Sequence, residues 1–136
     1  MPNDPPAGFE PLFRSSPFSE LCGPMYSRGS GANLVLGLRI AEKHTNSRGF
    51  AHAGVLTTLC DLALGYTVAF YAEPPASYVT VHLDVDFASS AKIGDWMEAR
   101  VDVQKRGSRL AFANAYLTVG DERIVRASAV FAGKPG

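Results

Sequence analysis

The stretch His44–Leu64, "HTNSRGFAHAGVLTTLCDLAL", decides how the rest of the chain is read. From Ala51 to Ala72 nearly every residue is apolar or small, and no proline interrupts the run. It reads as one helix from about Ala53 to Tyr71, stopped by the prolines of "EPPAS" at 73–77. A helix apolar nearly all round needs protein on most of its sides. Yet Asp61 stands near its middle, and an ionised carboxylate buried without a partner is costly. Asp61 is therefore paired, or its strain serves a mechanism. The same carboxylate argues against a membrane span, at roughly 2.5–3.5 kcal/mol for a central Asp, and His52, Thr57, Thr58 and Thr67 add polarity.

Strand-like segments flank this helix. Before it, Leu34, Leu36, Leu38 and Ile40 alternate in "NLVLGLRIAE", the period-two pattern of a half-buried strand. After it come "YVTVHLDVDF", "WMEARVDVQ", "LAFANAYLTV" and "RIVRASAVFA". In the first of these, strict alternation puts Val79, Val81, Leu83, Val85 and Phe87 on one face and Thr80, His82, Asp84 and Asp86 on the other. The short links "KRGSR" and "VGDE" imply antiparallel hairpins. One strand, one apolar helix and four antiparallel strands make an α+β chain in which a curved sheet wraps the helix. Residues 1–17 read as an irregular, Pro-rich arm and 18–136 as a single domain, with a short helical turn expected in "FSELC" before Gly23-Pro24.

The chain has 136 residues, almost half of them hydrophobic, which suits one domain with a real core. Its formal net charge is zero, so no nucleic-acid footprint is expected and any anion site is local. The two cysteines, Cys22 and Cys60, form no Cys-x-x-Cys pair; Cys60 reads as core packing, and His44 and His82 have no neighbours that point to a metal. The N-terminus lacks the apolar core of a signal peptide, which makes a cytoplasmic location the default expectation.

Taken in order, Asn46 in "HTNSRG", "HAG" at 52–54 opening the helix, Asp61 seven residues after Gly54, and "SSAKIGDWMEARV" beyond the next strand resemble the hotdog-fold acyl-CoA thioesterases of the phenylacetate-pathway (PaaI-like) type. The resemblance covers roughly Leu34 to the C-terminus. It implies a hotdog fold, with an antiparallel sheet around one long central helix, and hydrolysis of an acyl-CoA thioester to free acid and CoA. Asp61 is then general base or nucleophile, and the backbone N–H of Ala53, beside Gly54, forms the oxyanion hole. Asn46 orients thioester or water, and Thr80 stands where a hydroxyl residue helps hold the water. Ala53 departs from the family's His-Gly-Gly. No metal or redox cofactor is implied, and coenzyme A enters as part of the substrate.

Helix geometry adds a constraint. Seven residues place Asp61 about 10 Å along the helix from Gly54. An attacking group and an oxyanion donor must both lie within about 3 Å of the reacting atoms. One helix cannot supply both, so the expectation is a homodimer with sites at the interface, or a homotetramer built from it. For the CoA phosphates the candidate cations are Lys92, Lys105, Arg106 and Arg109.

Plainer readings stand beside these. Asp61 can be a structural carboxylate, Asn46 a turn residue, and His52 either a catalytic base or a backbone hydrogen-bonder. Lys105, Arg106 and Arg109 can be a solvated hairpin tip. Two other functions fit the same fold: a non-catalytic acyl-thioester-binding module, and an enoyl-thioester hydratase. Such hydratases place an Asp five residues before the active His, where this chain has Ser47.

Overall fold

The computed structural model describes residues 4–133; the ends of the expected arm and domain, 1–3 and 134–136, lie outside the described residues. The elements run β1 (Glu10–Pro11), α1 (Pro17–Cys22), β2 (Met25–Arg28), β3 (Val35–Arg39), α2 (Ala53–Ala69), β4 (Tyr78–Phe87), β5 (Trp96–Arg106), β6 (Leu110–Val119) and β7 (Glu122–Gly133). All seven strands join one antiparallel sheet in the order β1–β2–β3–β5–β6–β7–β4. The two short links do make hairpins, β5–β6 and β6–β7. β4 lies at the far edge, beside β7. No helix among the described residues is long and apolar enough to cross a membrane.

α2 lies along the sheet, and its apolar side makes the core. Val55, Leu56, Leu59, Cys60, Ala63, Leu64 and Val68 are buried against Leu36, Leu38, Met97, Leu117 and Phe131. The sheet covers one side of the helix, and from Val55 to Phe70 every residue is buried or only partly exposed. Thr57, Thr58, Asp61, Leu62, Gly65 and Tyr66 recur at three- and four-residue spacing and stay partly exposed. The helix also ends at Ala69, before the prolines, where Phe70 leaves helical geometry.

Strict alternation in β4 fails as well. The register against β7 shifts between Thr80 and His82, so Val81 is an extra, bulged residue. The bulge inverts the faces. Tyr78 before it and Leu83 and Val85 after it all pack on the core, while Val79 and Val81 are 39% and 56% exposed. Thr80, expected on the polar face, is thereby turned to the helix side.

The arm is more regular than its composition implies. Residues 10–11 add an edge strand, and α1 carries a reciprocal cap in which Ser16 and Ser19 bond each other's backbone N–H. The outer face of β3, expected to meet water, is covered at Gly37 by the Trp96 ring, which in turn meets Phe9 edge-on at 5.0 Å. A Cβ on Gly37 would stand 2.1 Å from Trp96 Cζ2. The ring has little room to swing, with Phe9, Tyr26 and the Arg39 guanidinium around it. Gly37→Ala is therefore expected to cost roughly 1–3 kcal/mol in urea unfolding, as overpacking does. In a Trp96→Ala background it should cost little. Equal cost in both backgrounds would remove the Trp96 contact as the cause.

Candidate active site

The loop before α2 consumes most of its own polar atoms. Asn46 Oδ1 accepts from the N–H groups of Arg48 and Phe50 at 2.9 and 3.1 Å. Both contacts fix the side-chain oxygen inward and leave the Nδ2 amide as a donor with no acceptor among the described residues. His44 is buried beneath the loop. Its Nδ1 accepts from Ala41 N–H at 2.9 Å, so the proton sits on Nε2 and is donated to the Cys22 carbonyl. The His44 carbonyl accepts from His52 N–H at 2.8 Å.

His52 is the N-cap of α2. Its Nδ1 accepts from Gly54 N–H at 2.8 Å, and its carbonyl accepts from Val55 and Leu56. This satisfies Gly54, and the ring nitrogen facing it is no longer free to take a proton. The Ala53 N–H is left without an acceptor among the described residues, at the positive end of a 17-residue helix. Every non-glycine residue described has negative φ, so Ala53 holds this position without backbone strain.

Asp61 lies two turns further on, partly exposed on the open side of α2. Thr80 Oγ1 donates to its Oδ1 at 2.9 Å. That bond exists because the Val81 bulge turns Thr80 toward the helix. The pair opens into a cleft of about 410 Å³ walled by Leu62, Tyr66, Phe70, Tyr78 and Phe131 and bordered by Arg14. Cys60, next in sequence, points into the core; burial and then the neighbouring Asp61 charge push its thiol up to about 12. It is a neutral thiol near pH 7, not a nucleophile.

The expected residues thus fall into two groups within one chain. Asp61 and Thr80 share one cleft. Asn46, His52, Ala53 and Gly54 gather at the helix start, beside a second cleft of about 420 Å³ lined by Phe18, Leu21, Lys43, His52, Gly54 and Thr58. Along α2 the groups are about 10 Å apart. Lys92 is exposed and its backbone bridges Phe50, at the edge of the Asn46 loop. Lys105 and Arg109 are exposed near the β5–β6 turn. Arg106 instead turns inward, where its Nε donates to Val68 O at 2.8 Å and its guanidinium lies 5.8 Å from the Tyr78 ring centre. There it complements the negative end of α2.

Reasoning from sequence did not find the walls of either cleft. Phe18 and Leu21 come from α1, and Arg14 from a segment without periodicity. The one available signal was the Ser16-x-x-Ser19 capping pattern, which marks an ordered start for α1.

Residues 48–134 match the family model described as the thioesterase superfamily. The chain is 50% identical over 127 residues to the "Putative esterase PA0474" of Pseudomonas aeruginosa, covering 93% of this chain and 95% of that protein. It is 33% identical over 85 residues to mouse acyl-coenzyme A thioesterase 13, covering 62% of this chain and 60% of the mouse protein. Among solved structures, the E. coli PaaI protein from the phenylacetic acid degradation operon aligns with a TM-score of 0.81 at 15% identity, covering 90% of this chain and 87% of PaaI, a likeness of fold. The chain belongs to the thioesterase superfamily, a family of thioester hydrolases built on the hotdog fold.

Proposed function

We propose that this protein hydrolyses an acyl-CoA thioester at two equivalent sites, each formed where two copies of the chain meet. The observation that carries the reading is the Asp61 carboxylate, held at one oxygen by Thr80 and open to a cleft on the uncovered side of α2. Thr80 ties one oxygen within the fold, and the cleft leaves the carboxylate accessible to substrate and water. Mouse acyl-coenzyme A thioesterase 13, similar over 85 residues, supports the acyl-CoA class by its name.

The chemistry uses the chain's own groups and water. Thr80 fixes the carboxylate, whose second oxygen takes a proton from a water molecule as that water attacks the thioester carbonyl carbon. The developing oxyanion is received by Ala53 N–H, with the positive end of α2 behind it. Asn46 has only its Nδ2 donor left, so it donates to the carbonyl oxygen or to the water. When the C–S bond breaks, the proton on Asp61 passes to the leaving sulfur. His52 serves as the cap that leaves Ala53, rather than Gly54, as the free donor. Lys92, Lys105 and Arg109 remain the exposed cations for the coenzyme phosphates, while Arg106 is engaged in the fold.

Two copies are needed because the base and the oxyanion donor lie too far apart on one helix. Antiparallel helices set side by side bring Asp61 of one copy to the helix start of the other. β4 offers the means: it is an edge strand with its outer backbone unpaired and Val79, Val81 and Phe87 exposed. Pairing of β4 with its twofold copy closes that edge and lays the open sides of α2 together.

Asp61→Asn keeps the size but removes the base, and turnover of a responsive acyl-CoA should fall by at least about a hundredfold. Cys60→Ser, as a control, should leave turnover near wild type. Near-wild-type hydrolysis by Asp61→Asn would overturn the mechanism. Subunit mixing tests the shared site. Asp61→Asn and Asn46→Ala should each be inactive alone. Equal amounts, refolded together, should recover about a quarter of wild-type activity, since half the dimers are mixed and each has one intact site of two. Free subunit exchange without recovery would mean that each site is built from one chain.

A further inference from the structure

The N-terminal arm brings a cation into the Asp61 cleft from outside the family match, which begins at residue 48. The arm is held on both sides of that cation. Toward the N-terminus, Phe9 is 6% exposed, packed on Trp96 and covered by the Arg28 guanidinium at 4.7 Å. β1 pairs with β2, and Leu12 N–H donates to Met25 O at 3.0 Å. Toward the C-terminus the Ser16–Ser19 cap begins α1. Between these anchors Phe13 crosses the open side of α2, with its ring 5.7 Å from Tyr66 and 5.1 Å from Phe70. The Arg14 guanidinium lies over the Phe70 ring at 5.5 Å.

Stacking on a ring orients a guanidinium while leaving its N–H edge available. Arg14 makes no ion pair and no hydrogen bond among the described residues. The only carboxylate lining the same cleft, Asp61, is bonded to Thr80. The remaining walls mix the Leu62, Phe70 and Phe131 side chains with Ser77, Thr80, Tyr66 and Tyr78. Phe70 follows Asp61 by nine residues, about 13 Å along the helix direction. The cleft therefore has a carboxylate at one end, an oriented cation toward the other, and aliphatic, aromatic and hydroxyl side chains between.

We propose that Arg14 is a specificity-determining residue, and that the acyl group of the substrate carries a carboxylate at the end remote from the thioester. The guanidinium edge receives that carboxylate in bidentate fashion, and the rings pack on the acyl body. This rests on the reading of Asp61 as the reacting carboxylate. Coenzyme phosphates fit the cleft poorly. They bring several charges and need several cations, whereas among this chain's described residues Arg14 is the one cation lining this cleft of about 410 Å³.

The test compares wild type with Arg14→Gln on a straight-chain acyl-CoA and its ω-carboxylated counterpart of equal length, and on the same two acyl groups carried by N-acetylcysteamine, which has no phosphates. On the carboxylated substrates kcat/KM should fall at least about tenfold on both carriers, the size of a lost charge-assisted pair. The neutral acyl groups should change by less than about twofold. An equal loss on both CoA thioesters that vanishes on N-acetylcysteamine would assign Arg14 to the coenzyme and overturn the proposal. So would no loss on any substrate. A wild type inactive on all four thioesters would overturn the Asp61 reading instead. Calorimetric binding of the free dicarboxylic acid then decides Arg14 separately: binding to wild type that is lost in Arg14→Gln supports its role, and equal binding or none overturns it.

Discussion

A sheet can cover only one side of a helix, and the rest of this structure follows from that limit. α2 is apolar almost all round, yet β3, β5, β6, β7 and β4 bury only the side bearing Leu56, Leu59, Ala63 and Leu64. The other side stays partly open with Thr57, Asp61, Leu62, Gly65 and Tyr66 on it. This answers why so apolar a helix tolerates a carboxylate. Asp61 is not in the core. It sits where the helix meets a cleft, and the cost of placing a charge in a dry interior does not arise. Cys60, one residue earlier, shows the contrast: it faces the core, and burial keeps its thiol protonated.

The helix start is organised by elimination. Asn46 spends its oxygen on two loop N–H groups, His44 spends both ring nitrogens, and His52 spends Nδ1 on Gly54. Three donors survive this accounting: the Asn46 amide, the Ala53 N–H and the His52 Nε2–H that the Nδ1 acceptor role implies. Ala53 and His52 are exposed and Asn46 is half-buried, and in the reading proposed above the Asn46 and Ala53 donors face the developing negative charge. The loop's own hydrogen bonds define where these groups stand.

Much of this was legible in the sequence wherever one period governs a whole element. Leu34, Leu36, Leu38 and Ile40 are all buried, as their alternation requires. The α2 run, its start at Ala53 and the hairpins around 107 and 120 follow from equally local signals. β4 was misread because a bulge has no signature in hydrophobic pattern: Val79 and Val81 look like core residues and are exposed. The adjacency of β4 to β7 was illegible for another reason, since it depends on contacts far apart in sequence. β1, β2 and the Phe13–Arg14 crossing are too short to show any period. The misread position and the contact proposed as catalytic coincide. The Val81 bulge that defeats alternation is the feature that sets Thr80 against Asp61.

The same logic separates two parts of the molecule by what constrains them. Residues 48–134, matched by the family model, contain the helix start, Asp61 and Thr80, while Asn46 lies two residues before the match. These groups sit on or beside rigid elements, as their geometry demands. The arm lies outside that match and touches α2 only along its last turns, through Phe13 and Arg14. Its anchors are a ring stack at Phe9, a two-residue strand, Leu12 packed against the edge of the core, and a serine cap. Such a strap can change its side chains over the cleft without disturbing the helix start or the Thr80–Asp61 bond. On the readings proposed above, reaction and recognition are carried by separate segments, with selectivity among acyl groups assigned to the C-terminal end of α2, where arm and helix meet.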